Sequence, residues 1–155
     1  MKDKRDLFGR LLSQVKESTS GPGSREEKLL AVCQMLRDQV RHYHWVGFYL
    51  VGESKEDLIL GPYVGEPTRH TKISFGHGVC GMAAEKRRTL MVPDVSKVRN
   101  YLSCSPKVQS EIVVPIFKDG AIVGELDIDS HAAAAFKGQD RVFLEEVCEE
   151  LASLF

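Results

Sequence analysis

The chain has 155 residues, 43% of them hydrophobic and 28% charged, with a formal net charge of −1. That is room for one sizeable core, and a single domain over residues 1–155 is expected. Lysine and arginine are spread along the chain, with no basic stripe for nucleic acid and no polybasic tail for a membrane surface. The start, Met1-Lys2-Asp3-Lys4-Arg5-Asp6, is too charged for a signal peptide, and no apolar run reaches membrane-spanning length. A cytoplasmic location is the expectation.

Leu7, Phe8, Leu11, Leu12 and Val15 recur at helical spacing until Gly21-Pro22-Gly23 breaks the segment. Ser24 and Glu27 read as a capping box opening a second helix, with Leu29, Leu30, Val32, Cys33, Leu36 and Val40 on its apolar side. From Trp45 to Val51 the run is aromatic and β-branched, which predicts a strand. A second strand is expected over 58–60, ended by Gly61-Pro62, and a third over 71–75. Residues 79–86 read as a short helix and 89–92 as a strand stopped by Pro93. Residues 94–110 are polar and irregular, the kind of excursion that carries function. Two more strands, 112–117 and 121–128, precede an amphipathic helix from Gln139. Strands in hairpin succession flanked by helices predict an α+β fold, an antiparallel sheet with helices packed against it.

The hairpin of the last two strands is the most informative segment. A three-residue loop, Lys118-Asp119-Gly120, would oppose Phe117 to Ala121 and Glu111 to Asp127. Alternation puts Glu125, Asp127 and Asp129 on one face, with Ile122, Leu126 and Ile128 on the other. Up to four carboxylates then share a face. Two readings stand at equal weight: a solvated outer surface, or a partly covered cluster that needs a cation. For a hard metal ion the neighbouring segments offer few further oxygen donors.

Of the four cysteines, Cys33 and Cys148 hold apolar positions of helices and read as small buried hydrophobes. Cys80 follows glycines at a helix start, where the helix dipole favours a thiolate. Cys104 lies in the irregular Asn100-Tyr101-Leu102-Ser103-Cys104-Ser105-Pro106 and is a candidate nucleophile. The histidines show no metal-site spacing, and serine-hydrolase, Walker and Rossmann signatures are missing from the sequence.

Trp45-Val46-Gly47-Phe48-Tyr49-Leu50, Leu60-Gly61-Pro62-Tyr63, Gly78-Val79-Cys80-Gly81, Ser110-Glu111-Ile112-Val113-Val114-Pro115 and Gly124-Glu125-Leu126-Asp127-Ile128-Asp129-Ser130 together resemble the free methionine-(R)-sulfoxide reductases, a family of GAF-domain proteins. The resemblance implies a six-stranded antiparallel sheet with helices on both sides and a small pocket under the loop bearing Cys104. It implies Cys104 as the attacking thiolate, Glu111, Asp127 and Asp129 around the substrate ammonium, Asp129 assisting at the sulfoxide oxygen, and Trp45 and Tyr49 as the wall around methyl and sulfur. Cys80 would resolve the oxidised Cys104 as a disulfide. Where the family usually has a third cysteine this chain has His70, so an external thiol is the other route. The implied partners are free methionine sulfoxide, thioredoxin or another thiol reductant, and a second copy through the terminal helices; no metal or organic cofactor is required. The alternatives are a non-catalytic ligand-binding GAF domain and a redox-sensing one.

Overall fold

The computed structural model describes residues 4–99, 101–102 and 105–155. Helix α1 (Lys4–Ser20) is followed by α2 (Arg25–Gln39), whose start carries the expected box: Ser24 Oγ accepts from the Glu27 N–H, and the Glu27 carboxylate accepts from the Ser24 N–H. Strands β1 (Trp45–Val51), β2 (Asp57–Val64) and β3 (Lys72–Ser74) lead to α3 (Gly78–Lys86) and β4 (Leu90–Val92). After a short 3-10 turn (Val95–Lys97) come β5 (Ser110–Lys118), β6 (Ala121–Ser130) and α4 (Gly138–Leu151). The six strands form one sheet in the order β3-β2-β1-β6-β5-β4, every neighbouring pair antiparallel.

The sheet divides two apolar clusters. On one face α1, α2 and α4 bury Leu11, Leu36, Ile112, Leu126, Ile128, Leu144 and Leu151, and Phe8 stacks on Phe143 with ring centroids 4.2 Å apart. Cys33 and Cys148 belong to this cluster, as their helical positions predicted. Leu30, expected on the apolar side of α2, is exposed. On the other face α3 contributes Val79, Cys80 and Ala83 to a second cluster with Trp45, Tyr49, Leu58 and Val113. Helices therefore lie on both sides of the sheet.

Asp140, in the first turn of α4, ties the helical side together. Its Oδ1 accepts from the Tyr43 hydroxyl at 2.7 Å and pairs with His42 Nε2 at 2.9 Å. Its Oδ2 accepts from Lys4 Nζ at 2.8 Å and the Lys137 N–H at 2.9 Å. Burial alone would raise this carboxyl, but the bonds from His42, Lys4, Lys137 and Tyr43 hold it well below the usual carboxylate range.

Two expectations about strands are corrected. β2 does not end at Gly61-Pro62 but runs to Val64. Pro62 is tolerated because β3 pairs only with Asp57–Ile59, and a bulge in the β1–β2 register falls at this stretch. The β5–β6 loop has two residues, not three: Asp119 and Gly120 both have positive φ, 51° and 81°, and Lys118 opposes Ala121. A bulge then leaves Val123 of β6 without a partner between the pairs Ile116–Gly124 and Phe117–Ile122. The two shifts add, so Glu111 faces Asp129 and Asp127 faces Val113. A shift of two keeps the acids on one face and changes only their partners. The bulge also turns Ile122 toward the α3 side, away from Leu126 and Ile128.

Candidate active site

Registers across β1, β6 and β5 place the candidate residues on a grid. Trp45, Asp129 and Glu111 form one row, Gly47, Asp127 and Val113 the next, and Tyr49, Glu125 and Pro115 the third. The middle row has no side chain at β1, so the Trp45 ring leans over Gly47, and a small cavity remains beside the two aromatic rings. Trp45, Tyr49, His70, Cys80, Glu111, Asp127 and Asp129 all line this cavity, with Leu102 of the following loop closing it. Its volume is about 10 Å³, the space of one water molecule. Cys104, and with it the expected Cys80–Cys104 bridge, lies outside the described residues, and Cys80 is a free thiol.

The aromatic wall is fixed from behind. The Trp45 indole N–H donates to the Glu66 carbonyl at 3.0 Å, and its ring stacks on Tyr63 at 5.3 Å between centroids. The Tyr49 hydroxyl donates to the His70 carbonyl at 2.8 Å. His70 thus borders the cavity at the position where the resemblance led us to expect a third cysteine. Two glycines make room for Trp45, and neither stood out in the sequence. A Cβ on Gly47 would lie 2.5 Å from the Trp45 ring and 2.7 Å from the Tyr63 Cβ. One on Gly65, whose φ is +140°, would lie 2.6 Å from the same indole. Gly47→Ala is therefore expected to displace Trp45 and weaken ligand affinity roughly tenfold, about 1.4 kcal/mol. Trp45 fluorescence and ligand titration check this, and an unchanged spectrum with unchanged affinity rules it out.

The four carboxylates are buried, which discards the solvated-surface reading. Burial first, then Asp127 and Asp129, push the Glu111 carboxyl well above its ordinary range. Burial raises Asp127 as well, opposed by its bonds with Glu111 and Cys80. Glu125 is raised by burial and by Asp127, and neither of its oxygens has a hydrogen-bond partner among the described residues. Cys80 departs from the sequence-based expectation of a lowered pKa. Burial pushes its thiol up, and Asp127, Glu111 and Glu125 push it further. Three buried acids outweigh the partial positive charge of one helix end.

The cavity is thus a small acidic hollow with an aromatic wall on one side and a thiol on another, an arrangement for a small ligand bearing both a cationic and an apolar group. The GAF domain model matches residues 24–154, and the chain belongs to the GAF domain family. Homologues within it are named free methionine-R-sulfoxide reductase. One, from Saccharomyces cerevisiae, is 43% identical over 108 residues, spanning 68% of this chain and 59% of the relative. GAF domain-containing protein A of Dictyostelium discoideum is 37% identical over 148 residues, 96% of this chain and 92% of that one. The X-ray structure of free methionine-R-sulfoxide reductase from Neisseria meningitidis in complex with its substrate superposes with a TM-score of 0.93 at 36% identity, covering 100% of this chain and 92% of that one. No helix among the described residues is long and apolar enough to cross a membrane.

Proposed function

We propose that this chain reduces the sulfoxide of free methionine in its R configuration. The observation that carries the reading is the opposition, within one buried cavity, of the Trp45–Tyr49 wall to the Glu111, Asp127 and Asp129 carboxylates. The wall suits the methyl and sulfur of the substrate, and the carboxylates suit its ammonium. A cation among them offsets the mutual repulsion of the acids. Methionine sulfoxide is larger than the closed cavity, so its entry displaces the Leu102 wall.

In the proposed reaction the Cys104 thiolate attacks the sulfoxide sulfur and an acid protonates the departing oxygen. Methionine leaves, and the oxygen ends on Cys104 as a sulfenic acid. The resemblance implies Asp129 as the proton donor. Glu111, opposed to Asp129 across the strands, is the better donor because burial and its two acidic neighbours raise its carboxyl and favour the form that carries a proton. The Cys80 thiol then condenses with the sulfenic acid, releasing water and forming a disulfide. A dithiol such as thioredoxin reduces that bond and is itself oxidised. An external thiol in place of Cys80 gives the same balance.

The test is methionine release from separated R and S epimers of free methionine sulfoxide with a thioredoxin system. Turnover confined to the R epimer is expected, and no release from either epimer discards the proposal in favour of a non-catalytic GAF domain. N-acetylation removes the cation, and the carboxylates would then face a neutral amide. The acetylated substrate should lose at least about a hundredfold in kcat/KM, roughly 2.7 kcal/mol. Equal rates on the two substrates would remove the carboxylates from ammonium recognition.

A further inference from the structure

Cys80, Glu111 and Asp127 each turn a donor atom into one spot, and the Sγ and the two carboxylate oxygens all lie within 4.8 Å of one another. The three come from separate elements, α3, β5 and β6, so the convergence is a product of the fold and not of local spacing. All three are buried, and Glu111 Oε1 and Asp127 Oδ1 have no hydrogen-bond partner among the described residues. Both residues line the cavity, whose volume matches a single water or a single ion. Unsatisfied acceptors in such a place call for a positive charge or a donor.

We propose that Cys80, Glu111 and Asp127 form a binding site for one thiophilic divalent cation of the zinc class, and that this cation excludes substrate from the cavity. The exclusion rests on the ammonium reading given above, whereas the binding does not. Donor chemistry selects the ion. A thiolate with two carboxylate oxygens is a three-ligand set for zinc or cadmium, with a fourth position open to the cavity. Magnesium and calcium want six or more oxygens and gain little from sulfur. A tetrahedral zinc, with Zn–S of about 2.3 Å and Zn–O of about 2.1 Å, holds its ligand atoms roughly 3.6 Å apart. Small side-chain rotations close the present spacing to that value. On binding, the Cys80 thiol proton and any proton held between the Glu111 and Asp127 carboxyls go to the buffer, and the two buried carboxylates acquire the cation they lack. No electron is transferred.

The ion and the substrate ammonium would draw on the same carboxylates. Zinc would therefore act as a reversible off-switch, and it would cap Cys80 against oxidation while bound.

The experiment uses the full reduced chain, freed of metal with a chelator and titrated with Cd²⁺. The thiolate-to-cadmium charge-transfer absorbance is followed, with Zn²⁺ as the competitor. One ion per chain is expected, with the band lost in Cys80→Ser and retained in Cys33→Ser and Cys104→Ser. Glu111→Gln and Asp127→Asn should keep the band but weaken binding at least tenfold, and they guard against misfolding of the Cys80 variant. A band that survives in Cys80→Ser, or that vanishes in Cys104→Ser instead, overturns the site. Free methionine-R-sulfoxide added to the Cd²⁺ complex of Cys104→Ser, in which no Cys80–Cys104 bond can form, should bleach the band, and N-acetylmethionine sulfoxide should not. A band present and indifferent to free substrate overturns the exclusion, and this outcome differs from the absence of turnover that would discard the proposed reaction.

Discussion

Cys104→Ser should lower reduction of free methionine-R-sulfoxide by at least about a thousandfold, because a serine hydroxyl is not ionised near neutral pH and is a poor nucleophile toward sulfur. The other three cysteines argue for it. Cys33 and Cys148 sit in the helical cluster, on the face of the sheet away from the cavity, and burial pushes both thiols up. Cys80 lines the cavity, but burial and three carboxylates hold its thiol protonated. Cys104 follows Leu102, which closes the cavity, by two residues. The variant should unfold at the wild-type temperature, since it exchanges sulfur for oxygen in a segment whose sequence shows no apolar periodicity. Cys80→Ser should behave differently, releasing one methionine per chain and then stopping with thioredoxin as reductant. Wild-type turnover in Cys104→Ser would move the nucleophile to Cys80 and dismiss the mechanism.

Local pattern was enough for most elements. The capping box at Ser24, the aromatic strand at Trp45 and the apolar spacing of α4 each depend on neighbours in sequence, and each stands where expected. The acidic face of β6 was legible for the same reason, because alternation along one strand is a local property. Its cross-strand partners were not. The pairing of Glu111 depended on a two-residue turn at Asp119 and on a bulge at Val123, and tertiary twist decides where a bulge falls. The Cys80 environment was also hidden, because the charges that raise its thiol come from β5 and β6, some 30 to 50 residues away. Gly47 and Gly65 gave no signal, since their role is to leave space for an indole that only the folded chain brings near.

Asp140→Ala should cost roughly 2–4 kcal/mol of folding stability, more than any other single polar change on the helical side. The substitution leaves the buried Tyr43 hydroxyl and the Lys137 N–H without their acceptor and cuts the Lys4 link from α1 to α4. Its pH signature is equally specific. The folded carboxyl titrates below its ordinary value of 3.8, so the unfolded chain binds the proton more readily. The stabilisation is complete above that value and is lost as pH falls from it toward the folded pKa. Urea unfolding of wild type and Asp140→Asn over a pH series from neutral to acid is the measurement. The gap between them should narrow as the solution is acidified below about pH 4. A gap that is constant with pH, or an alanine variant within about 0.5 kcal/mol of wild type, would show that the Asp140 bonds are incidental.

Along β6, Leu126 and Ile128 belong to the helical cluster, while Glu125, Asp127 and Asp129 turn to the cavity side. Neighbouring codons in this stretch therefore answer to different demands. Every second residue holds the molecule together, and those between decide what it recognises. A lineage can exchange the recognition set one position at a time without disturbing the packing behind it, so that new ligand chemistries arise on an unchanged scaffold.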